Sequence, residues 1–125
     1  MRLAATLLAV SLILVSCGKD VPDEKTLIEQ AQKLEAAAEY AKAYDLYDTF
    51  IDHYKSSEFR YKAMFMAGYI QMEYLKNPQK ARKIFDELIK EYPNCDLADD
   101  AKYLREVAES GKDLMSAFQD SLKKK

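Results

Sequence analysis

Few side chains in this sequence could do chemistry, and their spacing narrows what they could do. The 125 residues hold one His and two Cys, too few for a four-ligand zinc site of the usual kind. His53 lies between Asp52 and Tyr54, off the apolar face of its segment, and reads as a solvated residue. Asp99 and Asp100 are adjacent, so on a helix they point about 100° apart. That geometry suits compensation of a helix dipole better than a cation site or an acid–base pair. Cys95 sits in Pro93-Asn94-Cys95-Asp96, a turn where Ser would serve equally, and neither a base nor a resolving thiol accompanies it. No glycine-rich phosphate loop, Ser-centred elbow or His-x-x-x-His pair occurs. The expectation is a non-enzyme without cofactor or metal. The net charge of −2 is close to balance and gives no footprint for nucleic acid.

The second cysteine has a different context. Met1-Arg2 is a short basic start, and Leu3 to Val15 are uncharged with only Thr6 and Ser11 as polar breaks. As a helix that run spans about 20 Å, short of a hydrocarbon core of about 30 Å, so it reads as a secretory signal. Leu14-Val15-Ser16-Cys17 resembles the lipobox of bacterial lipoproteins. The resemblance implies a signal peptide over 1–16 and acyl chains, palmitate among them, on Cys17. Three such chains exceed what a stable anchor needs. Gly18 stands where an Asp would often retain a proteobacterial lipoprotein in the inner membrane. By the same resemblance the expected location is the outer membrane, on its periplasmic face. Residues 17–23 read as a lipidated tether, and a tether of eight or so residues reaches at most about 25–29 Å.

The rest of the chain must be helical. A hydrophobic content of 49% against 32% charged excludes a wholly disordered chain, and Gly and Pro number three each. Apolar spacing predicts helices over 24–38, 40–55, 58–76, 79–91, 97–110 and 112–122, and no sheet. The first starts at Asp23 or at the capping box Thr26-Leu27-Ile28-Glu29. Ser56-Ser57, Asn77-Pro78, and Asn94 or Asp96 offer later N-caps, and Gly111 offers a C-terminal stop.

Sliding the chain by 38 residues places Ala43 on Ala81, Tyr47 on Phe85, Phe50 on Leu88 and Tyr54 on Tyr92. It also places Leu27 on Phe65, Leu34 on Met72, Phe65 on Tyr103 and Met66 on Leu104. Self-similarity at this period marks a helical solenoid. The small residue, the aromatic four later and the Pro twelve after the small one, seen in Ala81, Phe85 and Pro93, resemble the tetratricopeptide repeat. Ala43 and Tyr47 match as well, with Lys55 where Pro is expected. Ala31 lies twelve before Ala43, while Gly68 lies thirteen before Ala81, so the second loop is longer by one. The expected fold is all-α: a solenoid over 24–111, five repeat helices in all, closed by a capping helix and basic tail over 112–125. In the cap, Leu114 and Phe118 should cover the fifth helix. The sequence style is similar to periplasmic tetratricopeptide lipoproteins, including those of outer-membrane assembly and of cell-division coordination.

In that family the first helix of each repeat lines an inner groove where peptide segments dock. The resemblance implies a partner site of Gln32 and Glu35, then Lys62, Phe65 and Tyr69, then Lys102 and Arg105. The third helix has an uncharged run, Ala63 to Ile70, with stripes Tyr61-Phe65-Tyr69-Met72 and Phe59-Ala63-Met66-Ile70-Tyr74. One stripe should pack on the second and fourth helices. The expected function is a lipid-anchored adaptor for an envelope protein or peptide segment, in outer-membrane assembly or envelope maintenance. The alternatives, ranked behind it, are a surface lipoprotein that holds a glycan or small molecule on the aromatic stripe, and a structural subunit with that stripe buried in a homodimer.

Overall fold

The computed structural model describes residues 20–124; the signal segment, Cys17 and Lys125 lie outside the described residues. Six helices run α1 Glu24–Ala36, α2 Tyr40–His53, α3 Arg60–Glu73, α4 Pro78–Glu91, α5 Ala98–Ser110 and α6 Leu114–Lys123. No strand occurs among the described residues. None of these helices is long and apolar enough to cross a membrane.

Local chemistry sets most boundaries. Asp23, not Thr26, caps α1: its carboxylate accepts from Thr26 N at 3.1 Å and from Thr26 Oγ1 at 2.7 Å. Asn77 caps α4 by accepting from Lys80 N at 3.2 Å, with Pro78 in the first turn. Asp113 caps α6 by accepting from Ser116 N at 2.8 Å. Two expected caps are not used. α3 starts after Phe59 and α5 after Leu97, neither with a side-chain cap. The reason is a shared turn. Ser57 N donates to Tyr54 O and Arg60 N to Ser57 O; 38 residues on, Cys95 N donates to Tyr92 O and Ala98 N to Cys95 O. Backbone carbonyls thus take the donors that Ser56, Asn94 or Asp96 would have capped. Ser57 Oγ accepts from Phe59 N at 3.2 Å and donates to Glu24 at 2.7 Å.

From α1 to α5 each helix packs antiparallel on the next, while α6 touches α5 only slightly, so helices of odd number start at one edge of the stack and those of even number at the other. Ala43, Ala81, Phe50, Phe85 and Leu88 are fully buried, as the slide by 38 residues requires. The solenoid of tetratricopeptide type is therefore the observed fold. One register differs. Leu27 is buried while Phe65 is half-buried; the equivalent of Leu27 is Met64, and that of Ala31 is Gly68, both 37 residues on. The cause is the longer loop. Residues 37–39 join α1 to α2, whereas 74–77 join α3 to α4. The extra residue precedes the left-handed position, so Ala38 (φ 58°) and Lys76 (φ 53°) are again 38 apart.

The third hairpin departs from this pattern. Thirty-eight residues after Gly68 stands Glu106, a long side chain in place of a small one. On α6, Ala117 is the small residue packed towards the core, but Ser121 follows four later where Tyr47 and Phe85 stand in the first two hairpins. Glu106, Val107, Ala117 and Ser121 therefore line a cleft of about 250 Å³ between α5 and α6. Leu114 and Ala117 pack against the core, but Phe118 is 53% exposed and does not cover α5. A helix kept from close approach cannot turn its whole apolar side inward.

Candidate functional site

The residues named from sequence fall into three environments. Gln32 and Lys62 are exposed on α1 and α3. Glu35 and Phe65 are half-buried and already engaged. The Glu35 carboxylate accepts from Tyr47 Oη at 2.7 Å, and the Phe65 ring lies edge-on to Phe85 with centroids 5.9 Å apart. Lys102 and Arg105 are held by acids: Lys102 Nζ lies 3.0 Å from Asp99, and Arg105 Nη1 lies 3.5 Å from Asp86 on α4. Arg82 joins the latter cluster through Asp86 and Glu109, at 3.7 and 3.8 Å. These side chains are near half exposed, so the cluster is weakly stabilising and salt-sensitive.

Tyr69 is the one residue of that set placed in an open apolar cleft. The cleft, about 440 Å³, is lined by Tyr69 and Glu73 of α3, Tyr103 of α5, and Leu114, Met115 and Phe118 of α6. Behind Tyr69 the aromatics continue. Its ring meets Tyr74 edge-on at 6.0 Å, and Tyr74 stacks on Tyr40 at 3.6 Å with an interplanar angle of 5°. Tyr103, Met115 and Phe118 are all exposed large apolar side chains. Grouped apolar residues around a concavity mark an interaction surface more clearly than single ones do. An aliphatic or aromatic side chain of a partner, buried there, would contribute about 1.5–3 kcal/mol. Glu73 supplies a carboxylate at the rim.

Sequence reasoning reached Tyr69 through the helix it lies on. It missed Met115 and Phe118 as lining of this cleft because α6 read as a cap whose apolar side turned inward, and it did not single out Tyr103 of α5. The usable signal was Ser121, a small polar residue four after Ala117 where Tyr47 and Phe85 fill the first two hairpins.

Other groups offer less chemistry. His53 is exposed, with Nδ1 3.0 Å from the Thr49 carbonyl. Asp99 is exposed in the first turn of α5, and Cys95 is half-buried. Among the described residues no group of three or more His, Cys, Asp or Glu is placed to hold a metal.

A family profile for the tetratricopeptide repeat matches residues 62–94, which take in α3 from its third residue, all of α4 and the turn after it. The chain therefore contains a tetratricopeptide repeat, a unit that serves protein–protein interaction. Searches of curated proteins and of solved structures gave no significant match.

Proposed function

We propose that this repeat-containing chain is a lipid-anchored, non-catalytic adaptor of a bacterial cell envelope. Cys17 carries the acyl chains and holds the solenoid at the periplasmic face of the outer membrane. The cleft of Tyr69, Tyr103 and Phe118 receives an apolar segment of a protein partner that acts in outer-membrane assembly or envelope maintenance. The observation that carries this reading is the cleft: concave, apolar and lined from three helices, on a scaffold of the repeat type that serves protein interaction. The lipobox-like Leu14-Val15-Ser16-Cys17 supports the anchor.

The test is site-specific photo-crosslinking in intact bacterial envelopes. A photoreactive residue at position 118 should give a discrete protein adduct, and Tyr69→Ala should abolish it. A photoreactive residue at Gln79, exposed at the start of α4, should give none. Equal labelling from both positions, or an adduct indifferent to Y69A, would overturn the site. Cys17→Ser should release the protein from membranes; retention with unchanged mass would overturn the anchor.

A further inference from the structure

The chain is fastened to the solenoid from Val21 onward. Val21 packs against the core, Tyr54 Oη donates to the Pro22 carbonyl at 2.7 Å, and Ser57 Oγ donates to Glu24 at 2.7 Å. Three residues lie between Cys17 and Val21, and the four steps span at most about 14 Å when extended. The edge of the stack that holds Val21 also holds the α2–α3 and α4–α5 loops. Arg60, at the start of α3, marks it: its Nε donates to the Ile51 carbonyl at 2.9 Å, and Nη1 donates to Glu91 at the end of α4. The opposite edge, with the Tyr40–Tyr74 stack, is one helix away, about 21 Å for fourteen residues.

Phe59 stands at the near edge and is 46% exposed. With Ile28 and the stems of Glu24, Lys25 and Glu29 it lines a shallow cleft of about 450 Å³. Lys62 Nζ sits 5.5 Å from the centroid of its ring. An exposed aromatic flanked by lysine suits the boundary between headgroups and acyl chains. The nearby charges are mixed, Lys25, Lys55 and Lys62 against Glu24, Glu29 and Glu58, so attraction to anionic lipid is not the drive.

We infer that this edge of the solenoid lies against the bilayer and that Phe59 enters its interfacial layer. The inference rests on the Cys17 anchor proposed above, because the short span from Cys17 to Val21 fixes which edge reaches the lipid. The contact is apolar, so it persists at high salt. It also holds the Tyr69–Phe118 cleft away from the surface, open to a partner.

The sequence contains no Trp, so single indoles report position cleanly. Phe59→Trp and, at the opposite edge, Gln79→Trp are made in the full chain and purified in detergent from a bacterial host. Each is reconstituted into phosphatidylcholine–phosphatidylglycerol vesicles with brominated acyl chains. F59W emission should shift to shorter wavelength and be quenched, at low and high salt alike; Q79W emission should do neither. Vesicles that float with the protein while F59W is quenched no more than Q79W would overturn the contact and leave the anchor standing. Failure to float, with a mass lacking acyl chains, would overturn both.

Discussion

The Cβ that Gly68 lacks would lie 2.7 Å from Cε1 of Phe85. The ring of α4 therefore rests directly on the backbone of α3. Both residues are buried, so the ring has little room to move away. Gly68→Ala would gain about 1 kcal/mol in helix propensity and lose about 1–3 kcal/mol to overpacking. The expected outcome is a net loss of stability by chemical denaturation. Phe85→Leu should cost less in the G68A background than alone, because the two sites share one contact.

Ala38 and Lys76 occupy the left-handed region without being glycine. That conformation costs an L-residue about 1–2 kcal/mol, and glycine returns part of it as unfolded-state entropy. Ala38→Gly and Lys76→Gly should each raise stability by up to about 1 kcal/mol. The third hairpin already uses Gly111 there (φ 68°), with nothing within 4 Å of a Cβ built on it. Gly111→Ala should therefore lower the thermal midpoint through backbone strain alone.

Burial first, and the hydrogen bond to Glu35 second, hold the Tyr47 hydroxyl well above its ordinary value of 10.0. The unfolded chain ionises near that value while the folded chain keeps its proton. The contribution of Tyr47 is thus complete below about pH 10 and is lost as pH rises towards the folded value. Tyr47→Phe should cost about 1 kcal/mol at neutral pH and flatten the alkaline decline. Tyr44 is also raised, mainly by burial, and persists in the variant. The difference between the two denaturation profiles across the alkaline range isolates Tyr47.

Tyr103→Ala and Phe118→Ala remove exposed rings from the open cleft. Each should change stability by no more than about 0.5 kcal/mol. Partner capture should fall about tenfold or more, as for truncated aromatic hot spots. Undiminished recovery of the crosslinked partner in pull-downs with both variants would exclude the cleft.

The periodicity of small and aromatic residues was enough to read the first two hairpins, because Ala43, Ala81, Tyr47 and Phe85 report close packing that no surface role imitates. Helix starts were less legible. Asn77 and Asp23 announce themselves by side-chain chemistry, but the turns at Tyr54–Arg60 and Tyr92–Ala98 satisfy most of their donors from the backbone, with Ser57 Oγ taking only the Phe59 N–H, which leaves little residue signature. The register of α1 against α3 was misaligned by the added loop residue before Lys76. Among the candidate partner residues, helix periodicity identified Tyr69 but could not show that Glu35, Lys102 and Arg105 were already engaged by Tyr47, Asp99 and Asp86. The Lys102–Asp99 pair lies three residues apart on one helix and was open to the same periodicity, whereas Glu35–Tyr47 and Arg105–Asp86 join different helices and emerge only once these are stacked.

Glu106 and Ser121 replace the glycine–aromatic contact at the third hairpin, and this sets the order in which the molecule loosens. Only Leu114 and Ala117 of α6 pack against the core, beside the Lys112–Asp120 ion pair, so its opening exposes little apolar surface compared with separating α3 from α4. Its amides should exchange with deuterium before those of the first two hairpins. Because Met115 and Phe118 sit on α6, any movement of that helix changes the width of the cleft they line with Tyr69 and Tyr103. One receptor of fixed length could thereby grip segments of unequal bulk.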